Sequence, residues 1–143
     1  MASESHRKNI LHHFRLKVTS ARLRVLDVFI RSEAALSHGD ILARIHDAHL
    51  DKVTLYRTLD AFVKCGLVHK VATEDRKWLY ALHHNGNEAS VNDEHAHFIC
   101  DECERVYCVP VVAAGGMKLQ EGDQGFVVRS REYRLHGTCP QCH

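Results

Sequence analysis

Apolar residues recur at the spacing of α-helices through the first part of the chain. This periodicity predicts a short helix over residues 5–14 and a second over about residues 19–32, with Thr19 as the N-cap of the second. Ser37 and Asp40 have the spacing of a capping box, so a third helix should begin there.

A fourth helix is predicted between Asp51, which can cap its N-terminus, and Gly66, which can end it in a left-handed turn. Compact helices in succession indicate a helix-turn-helix core. The interior of this core is expected to contain Ala21, Val25, Leu26, Phe29, Ile30, Ile41, Leu42, Ile45, Leu55, Leu59, Phe62 and Val63.

The spacing changes from helical to strand-like after Gly66. Residues 67–71 and 78–82 are predicted to form two strands around a polar turn over residues 73–77. Helices followed by one hairpin predict a winged helix, which we assign to residues 1–82.

The rest of the chain is predicted to form a smaller domain. Residues 83–94 are polar, contain Asn-Gly and lack a core pattern, so we expect a hinge there and a second domain over residues 95–143. The predicted fold class is α+β, with an N-terminal winged helix-turn-helix domain followed by a small α/β domain. Its elements are predicted as strands at 97–100 and 106–109, a helix at 111–120, and a strand or strand pair at 126–135.

The net charge of +1 conceals an uneven distribution. Residues 1–80 contain 14 Lys and Arg against 9 Asp and Glu, whereas residues 81–143 contain 5 against 9. A basic half beside an acidic half suggests an anionic partner for the N-terminal half. No apolar run approaches the ~20 residues of a membrane span, so no membrane association is expected.

Two Cys-x-x-Cys pairs are the most informative motif: Cys100 with Cys103, and Cys139 with Cys142. Each pair brings two thiolates to one side of a tight turn, and together they supply the four sulfur ligands of a tetrahedral zinc site. Such a site is structural, because it leaves no position for water or substrate. The alternative is a pair of disulfides or redox thiols. We expect free thiolates in the cytoplasm, since no secretory leader is recognisable.

One face of the fourth helix is predicted to contact DNA. In a helix-turn-helix the second helix lies in the major groove, with its N-terminal residues against base edges. Arg57 can offer a bidentate fork to guanine or phosphate, and Tyr56 can reach a thymine methyl group or the backbone. The face opposite the buried stripe should carry Thr54, Arg57, Thr58 and Ala61. Phosphate contacts are expected from Lys17, Arg22, Lys70, Arg76 and Lys77.

Together these motifs resemble the ferric uptake regulator family of metal-responsive repressors, including its zinc-sensing branch. The resemblance extends from about residue 10 to residue 142. It implies a homodimer in which the winged helix binds a palindromic operator in double-stranded DNA and the C-terminal domain dimerises, controlling genes of metal uptake or homeostasis. It also places the family's structural zinc on the four cysteines. The matching segments are Leu16-Lys17-Val18-Thr19 with Arg22, Thr54-Leu55-Tyr56-Arg57-Thr58-Leu59, Gly66-Leu67-Val68, His95-Ala96-His97-Phe98-Ile99-Cys100-Asp101-Glu102-Cys103, and Gly137-Thr138-Cys139-Pro140-Gln141-Cys142.

The resemblance also implies a regulatory metal site at the hinge. The family takes its ligands from a histidine early in the third helix, an acidic residue or cysteine at the end of the wing, and two histidines of a His-x-His run. The acidic position is Ala81 here, a departure, so His83 is the candidate fourth ligand and His84 the alternative. Alternation along a strand puts the two histidines of the run on one face, as ligands of one ion require. The three matching histidines are His38, His95 and His97.

The donor types narrow the choice of metal. Imidazole suits several divalent metals, and a set without carboxylate favours zinc over Fe(2+) or Mn(2+). A further site of the family uses a His-x-Asp pair whose positions are Glu94 and Ala96 here, so that site is expected to be absent or altered.

Two other classes of protein could also carry these metal-binding residues. In an enzyme, the same histidines would hold a catalytic zinc, but such zinc keeps an open position near a general base, and no HExxH or comparable signature occurs. No enzymatic activity is therefore expected. A metal-storage or metal-chaperone protein would bind metal without retarding an operator-like duplex.

Overall fold

The computed structural model describes residues 3–45, 50–73, 77–82, 95–110, 125–127 and 133–143. The chain divides into two compact units, Met1–Ala89 and Ser90–His143. The predicted hinge, the predicted helix at 111–120 and Arg76 lie outside the described residues. None of the described helices is long and apolar enough to cross a membrane.

The N-terminal unit has the predicted winged-helix fold. Its sheet has the order β1 (Leu36–Ser37), β3 (Trp78–Leu82), β2 (Val68–Ala72), and both pairs of strands are antiparallel. The hairpin of β2 and β3 pairs Val68 with Leu82 and Ala72 with Trp78. In chain order the elements are α1 Glu4–His13, α2 Ser20–Arg31, β1 Leu36–Ser37, α3 His38–Arg44, α4 Lys52–Cys65, β2 Val68–Ala72 and β3 Trp78–Leu82.

The predicted helix ends are confirmed. The Thr19 hydroxyl accepts a hydrogen bond from the amide three residues on, at 3.2 Å. Ser37 and Asp40 form a reciprocal capping box with distances of 3.0 and 3.1 Å. The Asp51 carboxylate accepts from the third amide of α4 at 2.8 Å, and Gly66 ends that helix with φ of +85°. The polar residues around each helix thus satisfy backbone groups that would otherwise lack partners.

This unit differs from the prediction in two places, one in the core and one in the sheet. Thr58 was predicted on the outer face of α4 but is only 5% exposed, because it lies three residues after Leu55 on the same helical stripe. Its hydroxyl donates to the carbonyl of Thr54 at 2.8 Å, which permits its burial. The two-residue strand β1, which pairs with β3, was not predicted, since so short a segment shows no periodicity.

The C-terminal unit is built on a three-stranded sheet. The strand order is β5 (Val106–Pro110), β4 (His95–Cys100), β6 (Tyr133–Gly137), in which β4 is antiparallel to β5 and parallel to β6. The parallel pair brings the carboxyl ends of β4 and β6 to the same edge of the sheet. The strands are β4 His95–Cys100, β5 Val106–Pro110 and β6 Tyr133–Gly137.

The strand predicted over residues 126–135 is wrong at its beginning. Gly125 adopts φ of +90°, and neither Phe126 nor Val127 lies in a strand. The observed strand begins at Tyr133, which pairs with Ala96 near the start of β4. Apolar composition alone therefore did not identify where a strand begins, since the described residues 126 and 127 are apolar but not extended in a sheet.

Candidate metal and nucleic-acid sites

Four cysteine sulfurs converge where β4 and β6 end. Parallel pairing puts Cys100 opposite Gly137, two residues before Cys139. The four Sγ atoms, which include those of Cys103 and Cys142, all lie within 4.8 Å of one another. The Sγ atoms of Cys103 and Cys139 are 3.8 Å apart. Zn–S bonds of about 2.3 Å imply sulfurs about 3.8 Å apart in a regular tetrahedron, so the cluster has the dimensions of a zinc site.

The chemistry of this cluster also fits zinc. All six cysteines are free thiols, and the 3.8 Å separation is far longer than the roughly 2.05 Å of a disulfide bond. Soft thiolate donors select zinc over magnesium or calcium. Four protein ligands leave no coordination position open, which is the arrangement of a structural site.

Hydrogen bonds inside the cluster distribute its protons unevenly. The Tyr107 hydroxyl, which donates to Gln141 Oε1 at 3.5 Å, also donates to the Cys139 sulfur and is the main cause that lowers the pKa of Cys139 to about 6. Cys142 bonds to the same sulfur, which raises the pKa of Cys142 to about 12. Backbone amides, that of Cys103 foremost, lower the pKa of Cys100. At neutral pH the cluster therefore already contains a thiolate that can bind a cation.

Contacts beyond the ligands tie the two cysteine pairs together. Arg105 Nη1 donates to Gln141 Oε1 at 2.6 Å, which links the two turns. Glu104 has φ of +61°, and its amide donates to the carbonyl of Cys100 at 3.0 Å. The roles of Arg105 and Tyr107 are not visible in the sequence, because they reach the second cysteine pair only through the pairing of β5 with β4.

His38, a predicted regulatory ligand, lies at the start of α3 against Tyr56 of α4. The two rings are stacked, with centroids 3.8 Å apart and planes 23° apart. The Nε2 atom of His38 is buried and has no hydrogen-bond partner among the described residues. Burial, assisted by the nearby Lys52 ammonium group, lowers the pKa of His38. A neutral imidazole with an unpaired buried nitrogen is the form that binds a metal ion.

The other predicted regulatory ligands belong to different segments. Both His95 and His97 lie in β4, and His97 is buried at 5% exposure. His97 is directly opposite Cys108 across the β4–β5 pair. His83 and His84, the candidates for the fourth ligand, are outside the described residues.

The outer surface of α4 carries the residues predicted to contact DNA. Tyr56 is 54% exposed, and Arg57 beside it is also exposed. Thr54 is half-buried at the N-terminal end of the helix, where its amide is held by Asp51. A large ring and a guanidinium group therefore lie on the accessible surface of the helix that the sequence assigned to recognition.

The residues predicted to contact phosphate differ in their exposure and in their contacts within the protein. Lys17, Lys70 and Lys77 are exposed. Arg22 is half-buried, and its Nη1 donates to the carbonyl of Lys17 at 2.8 Å, so part of its guanidinium is already engaged. The Lys70 ammonium lies 5.2 Å from the ring centre of Trp78, whose exposed side chain was not singled out from the sequence.

A winged helix followed by a small sheet with a four-cysteine cluster defines a class of protein that combines a nucleic-acid-binding fold with metal-binding residues. The model of the ferric uptake regulator family matches residues 13–113, which is more than half of the chain. The chain belongs to this family.

Individual relatives agree with this assignment. The chain is similar to the ferric uptake regulation protein of Bordetella parapertussis, at 29% identity over 99% of this chain and 97% of the relative. It is also 30% identical to the zinc uptake regulation protein of Escherichia coli, over 89% of this chain and 73% of the relative. Among solved structures, a zinc uptake regulator complexed with zinc and DNA is similar with a TM-score of 0.68 and 26% identity, over 97% of this chain and 91% of that one.

Proposed function

We propose that this protein is a metal-responsive transcriptional repressor that binds double-stranded DNA and controls genes of metal uptake or homeostasis. The observation that carries the proposal is the exposed pair Tyr56 and Arg57 on α4 of a winged helix, in a chain that belongs to the ferric uptake regulator family. Its similarity to a zinc uptake regulator complexed with zinc and DNA supports the same function.

The parts of the chain have separate roles in this proposal. Residues 1–82 bind DNA, residues 83–94 form the hinge, and residues 95–143 form the dimerisation domain. A homodimer presents two copies of α4 related by a two-fold axis, so its operator is palindromic. The thiolate ligands and the DNA target are both compatible with a cytoplasmic location.

Zinc bound by Cys100, Cys103, Cys139 and Cys142 is the structural cofactor. The ion supplies a cross-link between the two cysteine pairs and contributes to the folding free energy of the C-terminal unit. Tyr107 orients and stabilises the Cys139 thiolate, and the bond between Arg105 and Gln141 holds the two turns in register.

A second divalent metal acts as the regulatory ligand, held by His38, His95, His97 and one of His83 or His84. The unpaired, buried Nε2 of His38 supports the inclusion of that residue. This all-imidazole set favours zinc over Fe(2+) or Mn(2+). Ligation by both units selects one of their possible arrangements, and the free energy of that selection couples metal binding to DNA binding.

An experiment with added metals separates this function from metal storage. A duplex is selected from a random DNA library with the zinc-loaded protein, and its affinity is then measured with zinc, iron(II) and manganese(II) added separately. We expect the duplex to bind tightly only with a sensed metal, and best with zinc. Metal uptake without retardation of any duplex would instead favour the metal-storage alternative, and turnover of a substrate would contradict the expectation that the protein is not an enzyme.

Arg57→Ala tests the recognition surface in the same assay. It should weaken operator binding by about 1–3 kcal/mol and relax the preference at one base pair. Lys64→Ala is the matched control, because Lys64 lies at the opposite end of α4 and pairs with Asp60 at 2.9 Å. Equal operator affinities for the two variants would remove α4 from the DNA interface.

A further inference from the structure

The stacked pair of His38 and Tyr56 joins two functions that the sequence assigns separately. His38 is a candidate metal ligand at the start of α3, and Tyr56 is a candidate DNA contact on the outer face of α4. Their ring centroids are 3.8 Å apart with planes at 23°, so the two rings are in stacking contact. Both residues belong to the N-terminal unit.

The two rings keep different atoms available for their partners. The His38 Nε2 is buried and has no hydrogen-bond partner among the described residues, which leaves it as a donor atom for a cation. Tyr56 is 54% exposed, so much of its side chain can still reach a nucleic acid while it stacks on the imidazole. The imidazole therefore contacts the Tyr56 ring while its Nε2 atom remains available to a cation.

Binding of a metal ion to His38 would change the strength of the contact between its imidazole and the Tyr56 ring. A metal ion on Nε2 withdraws electron density and adds positive charge, and an electron-rich phenol ring is attracted to a cationic partner on its face. The stack should therefore be stronger when His38 is ligated, and the Tyr56 side chain should then be held in fewer conformations. Ordering a contact residue before DNA binds reduces the entropy lost on binding.

We propose that Tyr56 is a positioning residue which couples metal ligation at His38 to DNA recognition inside one winged helix, in addition to its own contact with DNA. The inference rests on the proposed function, since it needs a regulatory metal at His38. It adds a route of coupling that does not depend on the relative arrangement of the two units.

Linkage makes the proposal testable without DNA. If ligation strengthens the stack, then the stack must strengthen ligation by the same factor. In full-length protein that retains its four-cysteine zinc, Tyr56→Leu should weaken binding of a second zinc ion by about two- to thirtyfold in competition with a fluorescent chelator. Tyr56→Phe keeps the ring and should bind that zinc within about twofold of the parent. The fold of each variant is checked by circular dichroism.

DNA affinity measured with and without added zinc provides the second measurement. Tyr56→Leu should narrow the ratio between the two affinities, whereas Arg57→Ala should weaken both equally and leave zinc affinity unchanged. In the parent, zinc should also produce a tyrosine difference spectrum that Tyr56→Phe lacks, a result that does not depend on the folding of the Leu variant.

The outcomes separate the two proposals. A parent whose DNA affinity is unchanged by zinc, iron(II) and manganese(II) would overturn the proposed function and this inference with it. A parent that responds to zinc, together with a Tyr56→Leu variant of unchanged zinc affinity and unchanged affinity ratio, would overturn the inference alone, because Tyr56 would then be an ordinary DNA contact.

Discussion

At the scale of single residues, the four-cysteine cluster depends on groups that are not ligands. The Tyr107 hydroxyl is the main cause of the low pKa of Cys139, and the bond of Cys142 to that same sulfur raises the pKa of Cys142. Such outer contacts orient ligands and tune their basicity, and removing one typically reduces metal affinity about 10- to 100-fold.

Tyr107→Phe removes the hydroxyl that donates to Cys139 while it keeps the ring. We expect zinc to be lost to a competing chelator at about 10- to 100-fold lower chelator concentration than in the parent. Tyr133→Phe is the control, because Tyr133 lies at the other end of β6 from the cluster. Equal zinc retention in the two variants would show that the hydroxyl does not support the site.

The pH dependence of the metal-free protein tests the same hydrogen bond. The pKa of Cys139 is lowered from 9.0 to about 6 in the folded chain. Its ionisation therefore contributes stability that is complete above about pH 9 and is lost as the pH falls through about 6. The melting temperature of metal-free protein should rise between these values, and Tyr107→Phe should flatten the rise. An equal rise of the melting temperature with pH in Tyr107→Phe would contradict the role of the Tyr107 hydroxyl in lowering the pKa of Cys139.

At the scale of helices and strands, local chemistry determines most boundaries. The capping box of Ser37 with Asp40, the Asp51 cap and the terminating Gly66 were all predictable, because each signal acts within a few residues. The start of β6 and the strand β1 were not, since both are determined by the strand that pairs with them.

Gly66→Ala tests the helix end that leads from α4 into the wing. A Cβ there would meet no atom within 4 Å, but φ is +85°, so the cost is backbone strain of about 1–2 kcal/mol. Gly39→Ala is the control, since Gly39 lies inside α3 and has no positive φ. Chemical denaturation should show that Gly66→Ala lowers the free energy of unfolding, whereas Gly39→Ala leaves it unchanged or raises it slightly. A larger loss of stability in Gly39→Ala than in Gly66→Ala would contradict a left-handed turn at residue 66.

At the scale of the whole molecule, motifs whose residues are close together in the sequence could be recognised, whereas contacts between different elements could not. The four cysteines were identifiable because Cys-x-x-Cys spacing is local. The stack between His38 and Tyr56 was not, because it depends on how α3 packs against α4. A side chain can be assigned to a site from a motif, whereas its neighbours from other elements are known only once the fold is known.

Loss of one zinc ligand should affect the entire assembly. Cys100→Ser leaves three thiolates, so we expect loss of the structural zinc, a destabilised C-terminal unit and a monomer by light scattering. Cys65→Ser is the control, because a serine can keep the hydrogen bond that Cys65 donates to the carbonyl of Phe62 at 3.3 Å. A zinc-free Cys100→Ser protein that remains a folded dimer would contradict a structural role for the metal.

The central claim, that histidine-bound metal controls DNA binding, is tested most directly by operator affinity as a function of free zinc. The measurement compares the parent with a variant that carries both His95→Ala and His97→Ala. The variant should keep one zinc ion per chain and its dimeric mass but lose the zinc dependence of operator binding. A variant that still requires zinc, at the same free concentration as the parent, would contradict the central claim.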